Sequence, residues 1–165
     1  MKKNLAEEGL GRNPTDRGRS RSKLHLLVDL LGIPLGIEMV GANVHDSRLV
    51  GSTLGIIIVE RPRPTPEAPQ NLSLDKGYDY ARVEEEVQVA GYLPHIRRIG
   101  EEKLDPNQEK KYPARRWVIE RTFAWLKGFR AIRTRYSMYG ENYLAMIRFA
   151  CALIVFRRIP KINAT

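Results

Sequence analysis

The chain has 165 residues, 42% hydrophobic and 28% charged, which gives one compact domain the material for a core and excludes a disordered tail or a fibre. Its net charge of +9 is uneven, with +4 over residues 1–23, −6 over 24–109, +8 over 110–135 and +3 over 136–165. An acidic middle between basic flanks suits a polyanion gripped around a cation-binding centre, so nucleic acid stands beside simple solubility as the reading of the charge.

Residues 11–23 are basic and turn-forming, so the first 23 residues read as an exposed basic loop segment. Leu24 to Asp29 and Ile33 to Val40 are apolar, β-prone runs flanking Leu30-Leu31-Gly32, which predicts a hairpin with glycine in its turn. Asp46 is expected to cap a short helix ending near Leu54. Pro62, Pro64, Pro66 and Pro69 then make a stiff connector. Asn71 to Leu74 reads as a short strand running into Asp75-Lys76-Gly77-Tyr78-Asp79. Val83, Val87 and Ala90, at i, i+4 and i+7, predict a helix with Asp79 as its cap and Gly91 as its stop.

Tyr92 to Ile96 is expected to be another strand, followed by a polar loop over residues 100–111. Pro113 suits the first turn of a long helix from about Ala114 to Phe129. Trp117 and Trp125, eight apart on that helix, read as core packing rather than base-stacking groups. The last helix, about Glu141 to Arg158, is apolar around most of its circumference and reads as a core element. Its apolar stretch, Phe149 to Phe156, is far shorter than a bilayer requires, and the N-terminus has no apolar core of a secretory signal, so no membrane is implied. Cys151 is the single cysteine, which excludes an internal disulfide and a thiolate cluster, fits a reducing cytoplasm and reads as a small buried hydrophobe. Hairpin, helix, strand, helix, strand and helices together predict an α/β fold with a mixed sheet.

Two carboxylates stand out. Asp75 follows an apolar strand directly, where open α/β sheets place ligand-binding groups, although the same position suits an aspartate that only turns the chain. Glu120 is the one acid among nine basic residues over 110–135. At 100° per residue Arg116 and Lys127 share its face, an arrangement suited either to a metal-bound carboxylate between phosphate-gripping cations or to a solvated, ion-paired helix surface. Carboxylates without thiolates suit Mg²⁺ or Mn²⁺ rather than zinc. His25, His45 and His95 have no ligand-like spacing and read as structural.

Four stretches in order, 11–18 (GRNPTDRG), 41–47 (GANVHDS), 75–79 (DKGYD) and 117–126 (WVIERTFAWL), resemble the DDE transposases of bacterial insertion sequences. That family uses a ribonuclease-H-like catalytic domain in which three acids bind two divalent ions. Asp75 and Glu120 match the second and third acids, and Arg116 and Lys127 match the family's Tyr-x2-Arg-x3-Glu-x6-Lys signature, with Pro113 at the tyrosine position and Tyr112 one residue early. The first acid belongs to a strand upstream of Gly11, and the ten residues there contain no aspartate. Asp16, Asp29 and Asp46 match other family positions.

The resemblance therefore implies a ribonuclease-H-like mixed sheet with flanking helices that lacks its central first strand, with strand edges left open. The implied division is a basic segment over 1–23, a partial catalytic domain over 24–158 and a tail over 159–165. The implied function is DNA transposition: water frees the transposon 3′ end and the new 3′-hydroxyl attacks target DNA, with Mg²⁺ or Mn²⁺ at Asp75 and Glu120. Arg115, Arg116, Arg121, Lys127, Arg130 and Arg133 are the implied DNA contacts. Implied partners are double-stranded DNA of the transposon ends and the target, an upstream polypeptide supplying the missing strand, and further copies of the chain, in the cytoplasm at the nucleoid. A non-catalytic DNA-binding regulator or an inactive transposase remnant is the alternative, and the chain alone is expected not to cleave DNA.

Overall fold

The computed structural model describes residues 9–13, 17–57, 62–96 and 116–159. The chain divides into two compact units, Met1–His45 with Trp117–Thr165, and Asp46–Arg116. Both mix strands and helices, as the sequence predicts.

The first unit is built on the predicted hairpin. β2 (Ser20–Val28) and β3 (Pro34–Gly41) are antiparallel, with Leu24 opposite Met39 and Leu26 opposite Ile37, and the short β1 (Gly11–Arg12) pairs with the start of β2. Alternation along β2 turns Leu24, Leu26 and Val28 to the core, while His25 faces its cross-strand neighbour Glu38, Nδ1 to carboxylate 3.9 Å. In the turn, one carboxylate oxygen of Asp29 accepts from the backbone N–H groups of Leu31 (2.9 Å) and Ile33 (2.8 Å). Gly32 has φ +79°, and a Cβ there would stand 2.8 Å from Thr122 Oγ1. Only glycine meets both demands.

α3 (Arg116–Gly128), α4 (Arg130–Arg133) and α5 (Gly140–Phe156) complete this unit. Val118, Thr122 and Leu126 form the buried stripe of α3 at i, i+4 and i+8. Leu126 and Ile132 pack with Leu26 and Ile37 against Tyr143, Ile147, Ala150, Cys151 and Ile154 of α5. The Tyr143 hydroxyl donates to the Ile132 carbonyl at 2.7 Å. Arg135 joins the helices to the sheet, donating to Ser22 Oγ at 2.7 Å with its guanidinium over the Tyr143 ring. Burial pushes the Cys151 thiol up to about 11, in keeping with an inert core residue.

Two expectations are corrected here. α5 is buried on one side only, with Phe149 and Phe156 66% and 70% exposed, because the core it packs on touches a single face. Trp117 is 57% exposed rather than a core residue, since 100° per residue sets it well off the Val118 stripe.

In the second unit, β4 (Gln70–Leu74) and β5 (Tyr92–Ile96) are parallel and joined by α2 (Ala81–Val89), a βαβ unit. Val83 and Val87 of α2 are fully buried, as their spacing predicts, and Gly91 ends the helix at φ +85°. The predicted helix from Asp46 is broken: a 3₁₀ turn over Asp46–Arg48, closed by Leu49 N–H to the Asp46 carbonyl, precedes α1 (Val50–Gly55). The predicted Asp79 cap is also corrected. Tyr80 occupies the N-cap position of α2 without a side-chain bond. Asp75 instead caps a 3₁₀ turn over Lys76–Tyr78, accepting from the Lys76 N–H at 2.7 Å. The loop over 100–111, Pro113 and the first turn of the long helix lie outside the described residues. No helix among the described residues is long and apolar enough to cross a membrane.

Candidate functional site

Asp75 ends β4 in the second unit, and its side chain is exposed at the strand's C-terminal end. A 3₁₀ turn has about three residues per turn, so the residue three positions on returns to the same side. That residue is Tyr78. Its phenol is raised well above the ordinary range, first by burial and then by the negative charges of Asp46 and Asp75. The two aspartates therefore flank one hydroxyl that stays protonated. The turn bearing Asp46 is tied to α2 by Arg82, whose guanidinium donates to the Ser47 carbonyl at 2.8 Å and pairs with Glu86. Sequence reasoning gave Asp46 only a capping role and missed its neighbourhood with Asp75. The signal was Tyr78 itself, three residues after a turn-forming aspartate.

Glu120 lies in the first unit, on α3, exposed. It is 160° around the helix from the buried Thr122, which turns it directly outward. Thr122 donates to the Gly32 carbonyl at 2.8 Å and to Val118 at 3.1 Å. Arg121 donates to the Leu31 carbonyl at 2.6 Å. The residues after Glu120 thus fasten α3 to the hairpin turn, leaving the carboxylate on the far side.

Of the predicted cations, Lys127, Arg130 and Arg133 are exposed. Arg115 and the Arg116 side chain lie outside the described residues. Arg121 has its guanidinium between two indoles, 4.7 Å from the Trp117 ring centre and 4.9 Å from that of Trp125, and Arg158 covers Trp125 at 3.9 Å. This ladder went unseen in the sequence, although Trp117, Arg121 and Trp125 at i, i+4 and i+8 carry its signal.

Asp75 and Glu120 are hard oxygen donors of the kind Mg²⁺ and Mn²⁺ prefer. Among the described residues no three His, Cys, Asp or Glu side chains gather as a metal-ligand group.

Residues 3–155 match the family model described as the transposase DDE domain. The chain is also 34% identical over 153 residues to a Burkholderia cepacia protein named as a transposase for insertion sequence element IS402, covering 92% of this chain and 70% of that protein. No solved structure matches. With the family model spanning most of its length, the chain belongs to the DDE transposases of insertion sequences.

Proposed function

We propose that the chain is the C-terminal catalytic part of an insertion-sequence transposase. It binds transposon-end DNA and, once an upstream strand supplies the first acid, cleaves and joins DNA phosphodiesters. The observation that carries this reading is Asp75: it lies inside the matched family domain and directly follows a strand of a parallel βαβ unit, where α/β sheets present their ligand-binding groups. Asp75 and Glu120 would hold the divalent ion, which supplies a Lewis acid at the phosphodiester. Tyr78 keeps its proton between Asp46 and Asp75 and offers both carboxylates a donor. Lys127, Arg130 and Arg133, with Arg115, Arg116 and Arg121 on the same segment, meet the phosphates.

A ribonuclease-H-like sheet short of one strand is supported by two edges. Among the described residues β4 pairs with β5 alone, and β2 beyond Arg21 pairs with β3 alone. Such edges accept an added strand through their open N–H and C=O groups. Two transposon ends call for more than one copy of the chain in the working assembly.

The test is to mix the purified chain with transposon-end DNA and Mn²⁺, with and without an upstream polypeptide bearing the missing strand. Cleavage is expected only with the polypeptide, and Asp75→Ala or Glu120→Ala abolishes it. Cleavage by the chain alone that those substitutions abolish would mean another acid completes the site, and Asp46 is the first to mutate. DNA binding without cleavage in either arm supports the non-catalytic reading. Affinity should fall by about 0.9 log units per log unit of salt for each phosphate neutralised, and a salt-independent affinity removes the basis for phosphate contacts.

A further inference from the structure

The outer side of α3 carries a second feature beside Glu120. Trp117 lies 60° from Glu120 around the helix and, at 57% exposed, leaves much of its ring in solvent. One side of the indole rests on the Arg121 guanidinium, which is itself held by Trp125 and the Leu31 carbonyl. The Arg121 Nε is buried with no acceptor among the described residues. The guanidinium is therefore fixed by its two rings and one carbonyl, and Trp117 is fixed with it. Leu30 and Leu31, at the tip of the hairpin turn that Arg121 grips, are 68% and 56% exposed.

A rigid, exposed indole beside two exposed leucines suits a flat apolar ligand, and its fixed geometry lowers the entropy lost on binding. The setting selects the ligand. Nine basic residues against one acidic over residues 110–135 attract a polyanion, and nucleic acid joins polyanionic charge to flat faces. A second copy of the chain would bring the same positive segment against this one. In a paired duplex both faces of each base are already stacked, so the base must be unpaired.

We propose that Trp117 is a stacking platform for an unpaired DNA base, with Leu30 and Leu31 wedged against the adjoining base pair. The proposal rests on the reading that α3 meets DNA. It goes beyond that reading in giving this surface a preference for DNA with an unpaired base close to Glu120.

Three labelled DNAs at one salt concentration test it: a blunt duplex, the same duplex with a short single-stranded tail, and the tailed duplex with abasic sites in the tail. The chain should prefer the tailed duplex over the blunt one by about tenfold, the scale of one stacked base. Trp117→Ala and the abasic tail should each remove that preference, Trp117→Phe should keep most of it, and affinity for the blunt duplex should not change. The abasic arm leaves the protein intact, so it decides the matter even if Trp117→Ala disturbs folding. Equal affinity for the three DNAs, with the blunt duplex bound, overturns the platform while leaving the DNA-binding reading standing. Binding to none of them overturns both. Self-association lost in Trp117→Ala, with the DNA preference unchanged, would assign the surface to a second copy instead.

Discussion

Glu120 stands on a helix of 13 residues whose opposite face is buried, whereas Asp75 stands at the head of a 3₁₀ turn of three residues that its own carboxylate helps to close. Around Glu120, Thr122 and Arg121 bond to the hairpin turn, and Leu126 joins a core shared by two strands and three helices. Around Asp75, the strand is one of a pair, and the best-buried side chains nearby are Val83 and Val87 of one short helix. One acid is thus positioned by deep packing and the other by local bonds. A metal ion can pull a turn into place more readily than a packed helix, so in this fold Glu120 sets the frame and Asp75 adjusts.

The comparison breaks first on core truncations. Ile147 is fully buried in the cluster beneath α3, so Ile147→Ala should cost about 4 kcal/mol, the upper part of the range for such changes. Val87 is equally buried but smaller and lies in the slighter core, so Val87→Ala should cost about 2 kcal/mol. Urea titrations followed by circular dichroism measure both, and equal losses would mean that the two cores are equally well packed.

A smaller effect distinguishes the first core by pH. Burial raises the Cys151 thiol from its ordinary value of 9.0 to about 11. Below pH 9 the thiol is protonated in folded and unfolded chains alike, and its contribution is fully present. Between pH 9 and 11 the unfolded chain releases a proton that the folded chain retains, so stability falls. The loss should be on the order of 2 kcal/mol. Tyr143, also raised by burial, adds to the fall in the same direction. Denaturant midpoints of wild type and Cys151→Ala across this range should converge as pH rises, and parallel curves would mean that the thiol is not shielded from water.

Much of the architecture was legible because it rests on short-range signals. The hairpin follows from alternation and Gly32, α2 from Val83 and Val87, and the parallel partner strand from Tyr92 to Ile96. What escaped depends on which neighbour covers a face. The apolar circumference of α5 did not say that Phe149 and Phe156 would be left outside. The sequence identified Trp117 and Trp125 as an aromatic pair, but not that Arg121 would occupy the space between them. Asp75 was legible as a residue of chemical interest at a strand end, yet its bond to Lys76 and its neighbourhood with Tyr78 and Asp46 depend on a 3₁₀ turn that periodicity arguments for α-helices and strands do not cover.

The smallest expected effect bears on the two acids themselves. Asp75→Ala removes the bond to the Lys76 N–H and should cost about 1 kcal/mol, as for the loss of a capping side chain. It also removes one of the two charges raising Tyr78, so the phenol should titrate at lower pH, with burial and Asp46 still holding it above the ordinary value. Glu120→Ala changes an exposed position on a helix fastened by its other face, so it should move stability by no more than about 0.5 kcal/mol. Thermal melts compare the two losses, and absorbance of the tyrosinate band follows Tyr78. A larger loss at Glu120 than at Asp75 would reverse the argument: the helix would then depend on its acid, and the turn would be positioned by something other than its carboxylate.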